Sequence, residues 1–261
     1  MSDKYKLYGF NNLTKTLNIN FYNIYYACNT QTKRQYIQYI NQEYRADKLT
    51  SVVTKVTKMI GANILNIAKQ DYEPQGASVN LLISEGELPI IKVDDSCNRG
   101  ELIPNTHHIV GHLDKSHVTV HTYPENNPYS NICIIRIDIE ISTCGKISPL
   151  NAINYLMEKF DSEIITMDYK VRGFNRDING RKHYLDHEIL SIQDFILESN
   201  KQQYILEDYN LATQNMFYTK LKRNRIKLEK CLYYTNKQVL LAKEIKEIEA
   251  EIYTEIDEIY K

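Results

Sequence analysis

The sequence predicts an α/β sandwich with mixed, largely antiparallel sheets and a C-terminal helical extension. Three observations carry that expectation. Through residues 1–197, segments that alternate apolar and polar side chains are interleaved with segments whose apolar residues recur every three or four positions. Several strand-like segments come in pairs joined by short turns rich in Pro, Gly and Asn, as antiparallel neighbours require. The chain then ends on a stripe, Leu241, Ile245, Ile248, Ile252, Ile256 and Ile259, at helical spacing, with Glu and Lys filling the other faces.

Taken in order, residues 5–10 and 19–28 are aromatic and β-branched and read as strands joined by a polar turn. From Thr32 to Ile60 the apolar positions recur at three- and four-residue intervals, predicting one or two amphipathic helices that stop at Gly61. Residues 62–72 and 77–85 form a hairpin around Glu-Pro-Gln-Gly. Residues 85–106, broken by Gly86, Pro89, Gly100 and Pro104, read as an irregular surface loop. His117 to Tyr123 and Ile132 to Ser142 alternate with period two and predict a second hairpin. With its loop centred near residue 127 or 128, Cys144 lies opposite roughly residue 111, in the neighbourhood of Ser116. Ser148-Pro149 is an N-cap and first-turn signal for a helix burying Leu150, Ile153, Leu156, Met157 and Phe160. Residues 162–174 form a strand, 176–180 a turn, and from Asp186 the chain is expected to be mainly helical. The division that follows is a core over 1–197 and a mainly helical extension over 198–261, whose stripe packs on its own domain or on a sister subunit.

Composition removes several functions. The 32 Lys and Arg against 33 Asp and Glu leave a formal charge of −1, so the chain lacks the basic field that phosphate backbones require, and no nucleic-acid partner is expected. No apolar run approaches the roughly 20 residues that span a bilayer, and no secretion signal opens the sequence; a cytoplasmic protein without a membrane partner is expected. The five cysteines, at 28, 97, 133, 144 and 231, include no Cys-x-x-Cys and read as reduced thiols.

Five of the seven histidines (His107, His108, His112, His117, His121) fall within fifteen residues, and Ser116 and a downstream acid, Glu125, lie among or beside them. His117 and His121 share a strand face about 13 Å apart, too far for one metal ion. His183-Tyr-Leu-Asp-His187 has the spacing of an inverted zinc-peptidase motif with Asp in place of Glu, which would put both imidazoles on one helix face. A metal-dependent hydrolase built on His183 and His187 is therefore one alternative. A helical scaffold acting through the stripe at 236–260 is another. Ser116 or Cys144 could act as a nucleophile activated by histidine, although no Gly-x-Ser-x-Gly elbow or cysteine-protease signature surrounds either.

The segments LYGFNNLTKTL (7–17), IGANILNIAKQDYEPQGASVNLLISE (60–85), HLDKSHVTVHTYPE (112–125), IDIEISTCGKISPLNAINYL (137–156) and DYKVRGFNRDINGRKHYLDHEI (168–189) resemble the bacterial S-adenosylmethionine decarboxylase proenzymes of the longer, enterobacterial type, in the same order and spacing. The resemblance implies self-cleavage between Lys115 and Ser116, giving a β chain of residues 1–115 and an α chain of residues 116–261. The Ser116 hydroxyl would attack the Lys115 carbonyl, and the Ser116 α-proton would leave to a base. Elimination and loss of ammonia would then convert Ser116 to a pyruvoyl group. His121 occupies the position of the processing base, a task that suits imidazole, which titrates near about 6.5. The pyruvoyl cofactor would form a Schiff base with S-adenosylmethionine and accept electrons as carbon dioxide leaves. Cys144 occupies the position of the proton donor. Shorter relatives further imply that Tyr72 and Tyr123 sandwich the adenine, Glu125 accepts the ribose hydroxyls and Ser78 assists processing. The product would supply aminopropyl groups for spermidine synthesis. The resemblance also implies Mg²⁺ stimulation, with Asp177, His183, Asp186, His187 and Glu188 as a polar cluster and no ligand set assigned, and an oligomer of αβ units.

Overall fold

In the computed structural model, the described residues are 7–8, 12–85, 116–144, 146–177, 179–232 and 240–261. The expected loop at 85–106 therefore falls, beyond Glu85, outside them, as do Lys115, His107, His108, His112 and Cys97.

Eight strands form one sheet: β2 (Thr14–Tyr26), β3 (Asn63–Asp71), β4 (Ala77–Ser84), β5 (His117–Asn126), β6 (Ile132–Thr143), β7 (Ile164–Arg172), β10 (Tyr204–Asp208) and β11 (Met216–Arg223). Their order is β10-β11-β7-β2-β6-β5-β4-β3, and every neighbouring pair is antiparallel. β1 (Leu7–Tyr8), β8 (Asn175–Asp177) and β9 (Lys182–His183) make a small second sheet. The early strand pair expected at 5–10 and 19–28 differs: β1 pairs with β8, and the residues read as a turn, from Thr14 on, already belong to β2. β2 earns its central place by alternation, because Leu17, Ile19, Phe21 and Tyr25 all turn to one face and are buried there.

That face is covered by α1 (Thr30–Glu43), α2 (Ala46–Met59) and α3 (Ile153–Phe160). Asn29 caps α1 by accepting from Thr32 N at 2.9 Å. Gly61 ends α2 at φ +82, a conformation that glycine adopts without a Cβ penalty. Ser148 stands at the expected cap ahead of Pro149, but its side chain makes no cap hydrogen bond, and the first turn, Pro149–Ala152, is a 3₁₀ turn. Leu150, Ile153, Leu156, Met157 and Phe160 are buried, as their spacing predicts. At Gly76 (φ +99) a Cβ would stand 2.9 Å from Thr122 O, so the β3–β4 turn lies close against β5.

The opposite face is polar through its middle, where Asn18, Asn20, Thr119, His121, Asp138, Glu140, Thr166 and Asp168 are half-buried. At one end it is covered by α6 (Ala242–Tyr260), whose Ile248, Ile252 and Ile256 pack with Ile24, Ile132 and Ile164 of the sheet. The stripe from Ile248 onward thus packs within its own chain, while Leu241 at its start is exposed, and the packing argues against the scaffold reading.

The expectation of a mainly helical chain from Asp186 onward is corrected. Besides α6, the short helices α4 (Glu198–Lys201) and α5 (Leu228–Cys231) and the 3₁₀ turn Ala212–Gln214, the described residues of 198–261 contribute β10 and β11, and β11 extends the sheet against β7. Met216–Arg223 alternates half-buried and buried positions along its length, a period-two pattern partly masked by its three basic residues. No helix among the described residues is long and apolar enough to cross a membrane.

Candidate active site

Ser116 stands one residue ahead of β5 and Cys144 one residue beyond β6, at the open end of the hairpin those strands form. Their side chains meet, with Ser116 Oγ and Cys144 Sγ 3.0 Å apart. Ser116 is 4% exposed and Cys144 half-buried. The observed register pairs His117 with Ser142, so the next pair outward is Ser116 with Thr143. This corrects the expected register by about four residues and brings Cys144 closer to Ser116 than the sequence placed it. The reason lies in Pro124, Glu125 and Asn126, which stay in the strand instead of opening the loop. Beyond His121, the strand pairing of β5 with β4 stops, the edge setting in which a strand proline is tolerated.

The end of β4 holds both members of this pair. Ile83 N donates to Ser116 O at 3.2 Å. Glu85 accepts from Lys146 N at 2.7 Å and from Ile147 N, in the loop that follows Cys144. Sequence reasoning missed Glu85; its position at the end of the LLISE strand was the available signal.

The other expected site residues form a second group on the polar face. Tyr72 OH and Ser78 Oγ are 2.7 Å apart, and Ser78 sits directly across from His121 in the β4–β5 pairing. The His121 and Tyr123 rings are stacked with centroids 6.4 Å apart, and the Arg136 guanidinium lies 4.4 Å from the Tyr123 centroid. Tyr72 and Tyr123 are 41% and 48% exposed, so neither is a core aromatic. Glu125 follows on the same strand face, exposed, with partial burial raising its carboxyl pKa against the lowering charge of Lys33.

Strand geometry separates the two groups. At about 3.3 Å per residue, His121, Tyr123 and Glu125 lie roughly 13, 20 and 26 Å beyond His117, and Ser116 is one residue further back. Within one chain, therefore, the structure joins Ser116 with Cys144 and joins Tyr72, Ser78, His121 and Tyr123, but it does not join the two sets.

Between them lies an unforeseen charged ladder. His117 Nε2 contacts Glu140 Oε1 at 2.9 Å, and that hydrogen bond lowers the Glu140 carboxyl. Burial raises Asp138 against the opposing charges of Arg136 and His121, and burial likewise raises Asp168, which accepts from Asn18 at 2.8 Å. The alternation of Arg136, Asp138 and Glu140 opposite His117 and His121 was the sequence signal for it.

His183 and His187 do not form a metal site. The segment that joins them leaves a strand and bends instead of forming a helix. His183 contacts Asp177 at 3.1 Å, while His187 Nδ1 donates to Asp186 at 2.7 Å, and Asp186 also accepts from the buried Lys15 at 2.7 Å. Glu188 is exposed. Among the described residues, no three His, Cys, Asp or Glu side chains are placed to share a metal ion.

The chain is similar to known proteins over most of its length. The profile of the S-adenosylmethionine decarboxylase family matches residues 37–173. An S-adenosylmethionine decarboxylase proenzyme of Clostridium perfringens is 52% identical, over 100% of this chain and 97% of its own length. The proenzyme of the same name from Photorhabdus laumondii is 50% identical over 98% of this chain and 96% of its own. Among solved structures, an adenosylmethionine decarboxylase from Aquifex aeolicus covers 69% of this chain and 99% of its own at 12% identity, with a TM-score of 0.35.

Proposed function

The chain belongs to the S-adenosylmethionine decarboxylase family and is an autoprocessing S-adenosylmethionine decarboxylase; we propose that it cuts itself between Lys115 and Ser116 and decarboxylates at the site that Ser116 and Cys144 form. The observation that carries this assignment is the 3.0 Å approach of Ser116 Oγ to Cys144 Sγ. Lys115, on the other side of the bond to be cut, lies outside the described residues.

The residues present fit a pyruvoyl group at position 116. Ser116 is buried, its main-chain carbonyl is held by Ile83 N, and its side chain faces a thiol. The ketone of a pyruvoyl group, distinct from that amide carbonyl, would supply the electron sink that no natural side chain offers. The protein's own residues supply the rest. The Ser116 hydroxyl attacks the preceding carbonyl, and its C–O bond later breaks, leaving the first chain with a new carboxylate. Cys144 holds a proton at Sγ beside the reacting carbon and delivers it to the substrate α-carbon after carbon dioxide leaves.

His121 is assigned as the processing base, and Tyr72, Ser78, Tyr123 and Glu125 as substrate-side residues, with the two tyrosines on the adenine and Glu125 on the ribose. An oligomer of αβ units in the cytoplasm completes the reading. Its support is the separation of the two groups along β5, since a single chain does not bring its own His121 to its own Ser116 whereas a second copy could. Magnesium, expected as a stimulant, finds no ligand set among the described residues, and no step here passes through it.

Intact-mass analysis tests the assignment. The purified protein should give chains of residues 1–115 and 116–261, the larger without a free N-terminal amine, and Ser116→Ala should remain one chain of 30.6 kDa. An uncut full-length chain with unmodified Ser116 that still decarboxylates S-adenosylmethionine would sink it.

A further inference from the structure

We infer that Glu85 is a positioning residue for the decarboxylation step: its carboxylate clasps the loop after Cys144 and sets the thiol against position 116. This rests on the reading of Cys144 as the proton donor. Glu85 accepts from two consecutive main-chain amides, Lys146 N at 2.7 Å and Ile147 N. Two charge-assisted hydrogen bonds to adjacent N–H groups fix the orientation of that stretch of main chain as well as its distance. The loop needs such an anchor. β6 ends at Thr143, so Cys144 has left the sheet ladder, and the next helical turn begins only at Pro149. Thr143 Oγ1 adds a longer hydrogen bond, 3.4 Å to Ile147 O.

The clasp and the reacting residue share one support. Ile83, two residues before Glu85, donates from its main chain to Ser116 O, so the end of β4 and the residue that follows it grip position 116 through the backbone and the thiol's loop through a side chain. A proton donor must meet its carbon within hydrogen-bond reach, and a displacement on the order of 1 Å can cost about a hundredfold in rate. The described hydrogen bonds of Glu85 go to the main chain of residues 146 and 147, so it acts through the Cys144 loop. It also lies in the segment that precedes the cut, so the product chain that ends at 115 holds the donor loop of the other.

The test compares wild type with Glu85→Ala and Glu85→Gln in the full-length processed protein. Three quantities are measured: hydrogen exchange at the amides of residues 146 and 147, the rate of Cys144 alkylation by iodoacetamide, and kcat and KM separately. In Glu85→Ala, exchange at both amides should rise at least tenfold and Cys144 alkylation should change at least threefold. The kcat should fall tenfold or more with KM within about twofold. Glu85→Gln, which keeps an acceptor oxygen without the charge, should fall between the two. Unchanged exchange at 146 and 147, or faster exchange with kcat intact, overturns the inference. If Glu85→Ala fails to process, Glu85→Gln carries the same comparison and the same outcomes. A Cys144→Ser protein with full turnover would instead overturn the donor reading, and the two failures are distinct because amide exchange at 146 and 147 does not depend on the thiol.

Discussion

Lys15 and Asp186, 171 residues apart in sequence, meet at 2.7 Å at the base of the sheet with side chains 1% and 5% exposed. His187 donates to the other Asp186 oxygen at 2.7 Å, so the carboxylate has a partner on each side. Burial opposes its ionisation, but the His187 hydrogen bond and the Lys15 charge outweigh that and hold the Asp186 pKa down at about 2.

A carboxyl depressed in the folded state stabilises the fold above its ordinary pKa and ceases to do so as pH falls through its folded value. The wild-type protein should therefore lose about 2 kcal/mol of stability between about pH 4 and pH 2 from this group alone. Asp186→Asn should remove that acid dependence and, by taking away the charged half of a buried ion pair, cost about 3–5 kcal/mol at neutral pH. Urea denaturation at several pH values measures both; an unchanged acid slope in Asp186→Asn would contradict the assignment.

Cys144→Ala should process into two chains yet release carbon dioxide roughly 10²–10⁴-fold more slowly, the usual worth of a positioned proton donor. Mass analysis checks the first outcome and a carbon dioxide release assay the second. Normal turnover would remove Cys144 from the reaction.

If His121 acts across an interface between copies, a His121→Ala chain and a Ser116→Ala chain, neither of which cuts when alone, should restore cleavage when expressed together. The fragments should come from the His121→Ala chain, whose own Ser116 is intact. Cleavage of His121→Ala by itself at the wild-type rate would exclude the imidazole as the base.

α6 contributes through packing, so Ile252→Ala, at a position 0% exposed, should cost about 2–5 kcal/mol. Ala250→Ser, on the solvent side of the same helix, should fall within about 0.5 kcal/mol of wild type. Denaturant midpoints of the two variants make the comparison.

Most of the sheet was legible because one face of each strand is fully buried, which writes a period of two into β2, β5, β6 and β7. β10 and β11 were not legible because β10 is short and ends on Glu207 and Asp208, while Lys220, Lys222 and Arg223 interrupt the apolar pattern of β11. The hairpin register slipped at Pro124, where a proline that usually ends a strand sits instead on an unpaired edge. Ser116 beside Cys144 was legible from the hairpin. The remoteness of His121 from Ser116 was also within reach, because the strand arithmetic that separates His117 from His121 applies equally to Ser116. The Lys15–Asp186 pair was not, since nothing local marks a lysine in an apolar strand as the partner of an acid far along the chain.

β2 lies between β6 and β7, paired with one from Lys15 to Tyr26 and with the other from Thr14 to Tyr22. A cut ahead of Ser116 therefore does not divide the protein into two bodies. The first fragment keeps a central plank of the sheet clamped on both sides by the second, and pulling them apart would unzip the middle of the sheet. The severed chains should share a single melting transition, and neither fragment made alone should have a completed sheet to fold around.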